Sequence, residues 1–494
     1  MASDAVISEN NGVPEYGLYI NGEWTTGSGK TIENRNPARP DDLIGTFAAA
    51  SGDDTRRAID AAAEAKRAWG GTSAIERANI LYKASEILAA RAEDVGRELT
   101  REEGKTLPEG IGETKRAVQI LRYYAGEAQQ PDGEHYPSAN TKTLLYTVRE
   151  PIGTVGIITP WNFPIAIPAW KIAPALAFGN TVVFKPASLT PLCAVRLVEA
   201  LHEAGVPKGV LNLVPGSGAE VGDEIVNDER VEAISFTGSN AVGRQIKKDV
   251  AERGAKVQLE MGGKNPAIVL ADADLDHAVA QVIAGAMNST GQKCTATSRA
   301  IVDRSLLGDV TDRIVKKAAS LKVGDPQEAG VNIGPLVSSE AAESVLGSIE
   351  KGKKGASLAH GGGRPDISGN GHFVSPTVFT DVASDSFLGQ EELFGPVLGV
   401  IPVDGIDEAV AVANEVRYGL SASIFTRDIG KALAFVREVQ AGIVHVNSET
   451  AGAEPQVPFG GYKGSSSYSR EQGKSAREFF TQVKTVYFDP PPAG

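Results

Sequence analysis

GTVGIIT (153–159) is the first of five short apolar runs in the middle of this 494-residue chain. The four that follow are NTVVF (180–184), VLNLV (210–214), VEAISF (231–236) and KVQLE (256–260). Helical patterns lie between them, at 167–178, 190–204, 217–227 and 240–252. Strands that alternate with helices in this way are typical of βαβ units, and a series of such units forms a parallel sheet. The stretch therefore predicts a doubly wound α/β sheet.

The sequence on either side of this series predicts further elements. Residues 53–126 have apolar positions three and four apart, which predicts a helical segment before the sheet. A second α/β series runs from PAIVLAD (266–272) to about residue 460, so we expect a second α/β domain. TKTLLYTVRE (141–150) and the tail REFFTQVKTVYFDP (477–490) are rich in β-forming residues, and we expect these two segments to pair.

The N-terminal segment is predicted to be poorly ordered. Its first 16 residues are polar and are expected to be frayed, and order is expected to start at a hairpin around Asn21-Gly22. MASDAVISENNG (1–12) also lacks the basic region and the apolar stretch of a signal peptide. This favours a cytoplasmic protein.

Charge and cysteine content narrow the classes of partner and compartment. Lys and Arg number 49 and Asp and Glu number 62, which gives a net charge of −13. Such a surface repels phosphate backbones and anionic lipid, so nucleic acid is not expected as a partner. Two cysteines cannot form a disulfide framework in a chain of this length, and a reducing cytoplasm fits.

One uncharged stretch, residues 151–170, is long enough to cross a bilayer. Its four prolines would repeatedly interrupt the backbone hydrogen bonds that hydrocarbon requires. We therefore expect no membrane span, and the stretch predicts a buried strand, an irregular turn and the start of a helix.

The spacing of residues in the sequence, taken alone, indicates few catalytic or metal-binding side chains. The six histidines are scattered and neither cysteine has a CxxC partner, so no metal site is expected. Cys193 lies in an apolar helical pattern and is predicted to be in the core, whereas Cys294 lies among small polar residues. Glu260 ends the strand KVQLE, at the edge where parallel sheets place their sites. A solvated carboxylate is the alternative interpretation of Glu260, and an inert small hydrophobe that of Cys294.

Two glycine-rich segments follow predicted strands. VPGSGAEVG (214–222) and FTGSNAVG (236–243) each precede a helix, where a backbone can approach a phosphate. Neither matches the GxGxxG dinucleotide fingerprint, so each taken alone is equally an ordinary turn or helix cap.

Seven short motifs occur in the order seen in the aldehyde dehydrogenase superfamily, which the chain resembles from about residue 18 to 488. They are PWNFP (160–164), FKPAS (184–188), FTGS (236–239), LEMGGKNP (259–266), GQKC (291–294), EELFGPV (391–397) and PFGGYKGS (458–465). PIAIPAWKIAPAL, GQKCTATSR and GSSSYSREQG are most similar to α-ketoglutaric semialdehyde (2,5-dioxopentanoate) dehydrogenases within that superfamily. The resemblance implies an NAD(P)-dependent oxidation of an aldehyde to a carboxylic acid.

The resemblance assigns four catalytic residues. Cys294 is the nucleophile that forms a thiohemiacetal, and the side-chain amide of Asn162 with the Cys294 backbone N–H stabilises the oxyanion. Hydride transfer to the nicotinamide leaves a thioester, and Glu260 activates the water that hydrolyses it. Lys171 matches a lysine proposed to relay protons, and a surface lysine is its alternative interpretation.

The resemblance also assigns the cofactor site. The implied contacts with NAD(P) come from Trp161, Lys185, Ser188, Gly216, Gly238, Ser239, Glu392 and Phe394. NAD-preferring members commonly have Glu at the position of Ser188, where the carboxylate repels a 2′-phosphate. Serine removes that repulsion and Lys185 can pair with the phosphate, so NADP is the expected cofactor and NAD remains possible.

For the aldehyde, the resemblance points to the tunnel that leads to the nucleophile. Arg116 falls at a tunnel position that is often apolar, which indicates a substrate carboxylate and hence a short ω-oxo acid such as α-ketoglutaric semialdehyde. A solvated helix arginine is the alternative interpretation. Succinic semialdehyde enzymes often have Arg where this chain has Trp170, which argues against that substrate. A succinic semialdehyde or broad-specificity enzyme remains the alternative.

The expected architecture is aldehyde dehydrogenase-like, with two doubly wound α/β domains and a β oligomerisation arm. The NAD(P)-binding domain comprises 1–131 and 149–260, the catalytic domain 261–460, and the arm with the tail 132–148 and 461–494. The resemblance implies a homodimer or homotetramer. A cysteine hydrolase or acyltransferase without redox chemistry, and a non-catalytic protein that keeps the fold, are the competing hypotheses.

Overall fold

The computed structural model describes residues 3–491, and in it the predicted βαβ series forms a seven-stranded sheet. The strands of the chain are β1 (Val6–Asn10), β2 (Val13–Tyr16), β3 (Leu18–Ile20), β4 (Glu23–Thr25), β5 (Ile32–Arg35), β6 (Leu43–Phe47), β7 (His135–Tyr136), β8 (Leu144–Pro151), β9 (Thr154–Ile158), β10 (Thr181–Lys185), β11 (Leu211–Leu213), β12 (Ala233–Thr237), β13 (Lys256–Glu260), β14 (Asn265–Val269), β15 (Thr297–Asp303), β16 (Ser357–His360), β17 (Thr377–Thr380), β18 (Val397–Val403), β19 (Ser421–Phe425), β20 (Ile443–Val446) and β21 (Thr481–Phe488).

The helices lie between these strands and cover the sheets. They are α1 (Gly52–Gly71), α2 (Ala74–Ala90), α3 (Ala92–Glu103), α4 (Leu107–Glu127), α5 (Ala166–Ala177), α6 (Pro191–Ala204), α7 (Asp223–Asn227), α8 (Asn240–Glu252), α9 (Leu275–Met287), α10 (Leu307–Ala319), α11 (Ser339–Gly352), α12 (Phe387–Gln390), α13 (Gly405–Asn414), α14 (Ile429–Glu438) and α15 (Ser475–Phe480). A short π-helix, Gly218–Gly222, leads into α7. Among residues 3–491, no helix is long and apolar enough to cross a membrane.

The first sheet has the strand order β13-β12-β9-β10-β11-β3-β4. The five strands from β13 to β11 are parallel, and the hairpin β3–β4 adds two antiparallel strands at one edge. The chain enters at the central strand β9, builds outwards through β10 and β11, and then returns to add β12 and β13 on the other side. This reversal makes the carboxyl end of β9 a switch point, where open parallel sheets form their clefts.

The second sheet has the order β16-β17-β18-β15-β14-β19-β20, and all its pairings except β16–β17 are parallel. Helices α9 and α10 pack on it through apolar faces, and Val310 and Ile314 on α10 are fully buried. Two α/β layers built around parallel sheets confirm the fold class expected from the sequence.

Helix α5 begins where the chain leaves the switch point, after the irregular turn predicted from its prolines. All 12 of its residues are buried, which is why the sequence here is apolar on every side of the helix. Helix α4 packs against α5, and α4 brings its own polar residues to the cavity described below.

The arm is a three-stranded antiparallel sheet in the order β21-β8-β7. β8 pairs with β21 along its whole length, from Thr481 opposite Pro151 to Phe488 opposite Leu144. The pairing predicted between residues 141–150 and the tail is therefore present.

The prediction of a frayed N-terminus is wrong for residues 3–16, while residues 1 and 2 lie outside the described residues. β1 and β2 form a hairpin, and β2 pairs with β6 in a four-stranded sheet of order β1-β2-β6-β5. Tyr16 and Phe47 stack with ring centroids 4.8 Å apart, which anchors the hairpin to the core. The hairpin is half exposed, so its sequence is polar even though its backbone is paired.

Candidate active site

Residues from both α/β layers converge at the carboxyl edge of the first sheet. A cavity of about 320 Å³ opens there beside Cys294. Its lining includes Arg116, Phe163, Trp170, Lys293, Glu449 and Phe459. The cavity therefore brings Cys294 together with both substrate-site residues expected from the sequence, Arg116 and Trp170.

Cys294 is held by an unusual turn of backbone just before it. Ser289, Thr290 and Gly291 have φ values of 53°, 55° and 67°, so three successive residues are left-handed. Left-handed conformation costs a residue with a side chain roughly 1–2 kcal/mol, so the turn needs support from its surroundings. Glu109 supplies it from α4, because its Oε1 accepts a 2.7 Å hydrogen bond from the Ser289 backbone N–H.

The backbone around the nucleophile is fixed on its other side by Asn265. The side-chain amide of Asn265 donates to the carbonyls of Cys294 (2.8 Å) and Ala296 (2.9 Å). Burial raises the pKa of the Cys294 thiol to about 12, and the carboxyls of Glu392 and Glu260 act in the same direction. The thiol is therefore protonated at neutral pH in this state.

Asn162 reaches the same segment from the loop after β9. Its side-chain nitrogen donates to the carbonyl of Gln292, two residues before Cys294, over 3.0 Å. An amide nitrogen carries two hydrogens, and the second has no acceptor among the described residues. The geometry brings Asn162 and Cys294 together as expected.

Glu260 is buried at the end of β13, which excludes the solvated alternative. Its Oε2 accepts a 2.5 Å hydrogen bond from Ser466, and its Oε1 has no partner within residues 3–491. Burial raises the pKa of Glu260 well above its ordinary value, and the nearby carboxyl of Glu471 adds to this. A buried carboxyl with one free oxygen and a raised pKa is suited to accept and release a proton.

Lys171 is buried rather than exposed. Its ammonium forms an ion pair with Glu471 and donates to Ser235 over 2.9 Å. Trp170 donates from its indole nitrogen to the other oxygen of Glu471 at 2.7 Å. Glu471 is thus a functional candidate that the sequence analysis missed. It lies in SREQGK (469–474), which overlaps GSSSYSREQG, one of the stretches that carry the family resemblance. That overlap is the signal that could have indicated it.

The residues expected to hold the cofactor line the same edge of the first sheet. Lys185, at the end of β10, is buried, and burial lowers its pKa to about 8. Its ammonium has a single hydrogen-bond acceptor among the described residues, the carbonyl of Pro186 at 3.3 Å. Ser188 lies nearby and donates to the carbonyl of Gly216 at 3.2 Å. A buried cation that lacks a charged partner fits a phosphate or a ribose.

Lys185 and Ser188 form one part of the expected cofactor site, which we call the cofactor cradle. Two glycines, Gly216 and Gly238, and the N-terminus of α8 form the next part. A Cβ on Gly216 would lie 2.4 Å from Val221, and one on Gly238 would lie 2.5 Å from Phe236, so neither position accepts a side chain. Ser239 caps the N-terminus of α8, where backbone N–H groups favour an anion. These features fit a dinucleotide pyrophosphate.

The far end of the cofactor cradle is formed by the carboxyl of Glu392 and by two aromatic side chains, Trp161 and Phe394. Glu392 accepts a 3.0 Å hydrogen bond from the Gly263 N–H, and burial raises the pKa of Glu392 to about 7. Trp161 and Phe394 meet edge to face with ring centroids 5.4 Å apart. The donor set and the apolar walls fit a ribose and a flat ring, as expected for NAD(P).

A metal site is not evident in the part of the chain that the structure describes. No three or more His, Cys, Asp or Glu side chains are grouped to hold an ion there. Cys193, for comparison, is fully buried in α6, and burial raises its pKa well above the ordinary value. It lies in the core, as predicted.

Comparisons with known proteins agree with this geometry. The model of the aldehyde dehydrogenase family matches residues 24–486. The alpha-ketoglutaric semialdehyde dehydrogenase of Bacillus subtilis is 48% identical over 490 residues, which cover 98% of this chain and 100% of that protein. The alpha-ketoglutarate semialdehyde dehydrogenase of Haloferax volcanii is 46% identical over 474 residues, which cover 95% and 98%.

A solved structure gives the same answer. The NAD⁺ complex of an aldehyde dehydrogenase from Bacillus cereus is 39% identical, covers 96% of each chain and has a TM-score of 0.93. These matches favour redox chemistry over the hydrolase, acyltransferase and non-catalytic hypotheses. The chain belongs to the aldehyde dehydrogenase family and is an NAD(P)-dependent oxidoreductase.

Proposed function

We propose that this enzyme oxidises a short ω-oxo acid such as α-ketoglutaric semialdehyde to the corresponding dicarboxylic acid. The observation that carries the proposal is the guanidinium of Arg116, which lines the cavity beside Cys294 and has no hydrogen-bond or ion-pair partner among the described residues. The names printed for the relatives from Bacillus subtilis and Haloferax volcanii point the same way.

None of the three carboxyls in the cavity wall, those of Glu109, Glu113 and Glu449, forms an ion pair with Arg116 among the described residues, and Glu449 faces Lys293 at 3.8 Å. Glu109 is occupied by the Ser289 and Thr106 N–H groups, at 2.7 and 3.0 Å. Glu113 is occupied by Lys105 and by two backbone N–H groups. A substrate carboxylate at the far end of the cavity would therefore find a free guanidinium, which binds it with two parallel hydrogen bonds.

We propose the following roles around Cys294. Cys294 first releases its thiol proton to water. The thiolate attacks the aldehyde carbon and the carbonyl π electrons move to oxygen, where the Asn162 amide with the Cys294 N–H stabilises the oxyanion of the resulting thiohemiacetal. When bound, the dinucleotide supplies the hydride acceptor. Glu260 then removes a proton from the water that hydrolyses the thioester. Lys171, through its pair with Glu471, is proposed to relay that proton away from Glu260.

The substrate proposal is tested by reduced-cofactor formation with a panel of aldehydes. The panel pairs four- and five-carbon oxo acids with uncharged aldehydes of the same length. We expect the five-carbon 2-oxo acid semialdehyde to have the highest kcat/KM. Higher kcat/KM for the four-carbon acid would support a succinic semialdehyde enzyme, and equal values for charged and uncharged aldehydes would support broad specificity.

Arg116→Met isolates the residue that carries the proposal. The substitution removes a charged hydrogen bond worth roughly 1.5–3 kcal/mol. We therefore expect KM for the oxo acid to rise by about tenfold to a hundredfold. KM for the uncharged aldehyde should stay unchanged. Arg122→Met, exposed on the same helix α4, is the matched control. If Arg116→Met impairs both substrate classes equally, Arg116 is structural and the assignment fails.

We further propose that NADP⁺ is the preferred cofactor and that the enzyme is a cytoplasmic homodimer or homotetramer. Ser188 brings no negative charge to the neighbourhood of Lys185, which supports acceptance of a 2′-phosphate. A reducing compartment keeps the nucleophilic thiol of Cys294 free. Val483, Tyr487 and Phe488 on β21 are 55%, 68% and 63% exposed, and such apolar surface supports contact with another subunit.

A further inference from the structure

Lys105 forms a buried charged cluster next to the active site. It lies in the loop between α3 and α4, and only 3% of its surface is exposed. Its ammonium donates to Glu113 Oε2 over 2.8 Å and lies 3.7 Å from Glu103 Oε1. Burying a lysine costs free energy unless charged partners compensate, so this cluster calls for an explanation beyond packing.

Two buried carboxyls, those of Glu103 and Glu113, face the Lys105 ammonium. Burial works against the charge on Lys105, but the carboxyls of Glu103 and Glu113 outweigh burial and raise the pKa of the lysine. Burial raises the pKa of Glu103 to about 8, and the Lys105 ammonium acts in the opposite direction. The ammonium therefore has the charged and polar partners that a buried lysine requires.

The Lys105–Glu113 pair holds the loop that contains Asn162. The Lys105 ammonium donates to the backbone carbonyl of Asn162 and lies 4.0 Å above the ring of Phe163. The second oxygen of Glu113 accepts from the backbone N–H groups of Ile165 (3.1 Å) and Ala166 (3.2 Å). Lys105 therefore fixes the start of this loop, and Glu113 fixes its end at the N-terminus of α5.

These contacts hold the backbone of the loop and leave the Asn162 side chain free of them. Its amide instead donates to the Gln292 carbonyl, in the segment just before Cys294. Stabilisation of an oxyanion depends on a donor held at hydrogen-bond distance before the charge develops, and a displacement of about 1 Å can cost a large part of the rate. Lys105 has no acceptor in the cofactor cradle among the described residues, so its contacts bear on the oxyanion site rather than on dinucleotide binding.

We propose that Lys105 is a positioning residue, which clamps the Asn162 backbone so that the Asn162 amide meets the oxyanion formed at Cys294. This inference rests on the role proposed for Asn162. Lys105 is also among the residues that line the cavity beside Cys294, and the inference assigns its ammonium to the Asn162 carbonyl rather than to the substrate.

The test is a double-mutant cycle between Lys105→Met and Asn162→Ala, with kcat, KM and the Kd of NADP⁺ as measurements. We expect Lys105→Met to lower kcat by about tenfold to a hundredfold, which is less than the roughly 10²–10³-fold loss typical when an oxyanion donor is removed altogether. The Kd of NADP⁺ should change by less than about twofold, because Lys105 contacts no cradle residue directly within the described part of the chain, although Trp161 is the neighbour of Asn162 in the chain. In the Asn162→Ala background, Lys105→Met should lower kcat by less than about twofold.

Further variants separate positioning from folding. Lys105→Arg keeps the cation and should recover part of the lost kcat, while Lys115→Met, exposed on α4, is the matched control and should match the wild type. If Lys105→Met does not fold, the same cycle is run with Lys105→Gln, which keeps a donor towards Glu113.

The outcomes distinguish the two proposals. If Asn162→Ala alone retains full kcat, the role proposed for Asn162 is wrong. If Asn162→Ala is impaired but the effects of the two substitutions on kcat multiply, Lys105 acts independently of Asn162 and the positioning inference is overturned.

Discussion

Cys294 is the residue whose protonation decides the reactivity of the free enzyme. Burial raises the pKa of Cys294 to about 12, so the thiolate fraction is small at neutral pH. As long as the pH is below the pKa, this fraction increases about tenfold with each unit of increase in pH. We expect the rate of alkylation by iodoacetamide to rise about tenfold per pH unit between roughly pH 7 and 9.

The measurement is the loss of activity with time at each pH, with circular dichroism to confirm that the protein stays folded. Cys294→Ala should incorporate no label in this range, because Cys193 is fully buried. A rate that levels off below about pH 8 would mean that the thiol pKa is lowered instead.

Ser188 is the residue at which cofactor preference can be changed. In Ser188→Glu a carboxylate is introduced near Lys185, where it competes for the cation and repels a 2′-phosphate. We expect the ratio of kcat/KM for NADP⁺ to that for NAD⁺ to fall by about tenfold to a hundredfold, which corresponds to roughly 1.5–3 kcal/mol.

Ser320→Glu, at an exposed position just after α10, is the control for added negative charge. A wild-type enzyme that uses NAD⁺ at least about tenfold better than NADP⁺ would contradict the expected preference.

For single residues, the sequence predicted those members of the candidate site that lie inside short motifs. Cys294, Glu260 and Asn162 converge as expected because each is part of a contiguous pattern. Glu471 was missed because its role depends on Lys171, 300 positions away, and spacing gives no measure of that contact. The Lys105 cluster was missed for the same reason, since it joins a loop between two helices to a loop after a strand.

Among the elements, the left-handed turn before Cys294 has the most direct effect on the nucleophile. Gly291 has a φ of 67°, and a Cβ there would lie 2.2 Å from the carbonyl oxygen of Gly395. We expect Gly291→Ala to lower the free energy of unfolding by about 2–4 kcal/mol, from backbone strain and steric conflict together. Because the turn leads into Cys294, kcat should fall as well.

Gly347→Ala is the matched control for this substitution. Gly347 is exposed within α11, and a Cβ there meets no atom within 4 Å. Its replacement should raise the free energy of unfolding by about 0.5–1 kcal/mol, the gain typical of alanine in a helix. Chemical denaturation measures both variants, and equal stability for the two would contradict the role given to the turn.

Regular elements were predicted well where their periodicity is strong. The helix expected at 240–252 is α8 with the same bounds, because its apolar face repeats without interruption. The hairpin β1–β2 was missed because half of its surface faces solvent, which removes the apolar alternation. Asn11-Gly12, with φ values of 52° and 79°, is the turn signal that was overlooked.

For the whole molecule, the arm is the feature that bears on assembly. Val483 and Tyr487 project from the same face of β21 and are largely exposed in the single chain. We expect the double substitution Val483→Glu with Tyr487→Glu to reduce the mass measured by sedimentation velocity to that of a smaller assembly. The cause is the cost of burying two carboxylates in an apolar contact.

Tyr82→Glu, which replaces an aromatic that is 52% exposed on α2, is the control for added charge. If the double variant keeps the wild-type mass, the arm does not hold subunits together. The oligomeric state itself stays a prediction.

The pairing of β8 with β21 also sets a time order for biosynthesis. Lys484 follows its ion-pair partner Glu150 by 334 positions, so β8 leaves the ribosome long before its neighbour is made. At roughly 5–20 residues per second, the delay is on the order of 15–70 s. During this interval β8 is an unpaired edge, and nascent chains on one messenger are exposed to mispairing with each other. The β8–β21 pairing therefore forms late in synthesis, and β8 is a segment that benefits from chaperone protection until then.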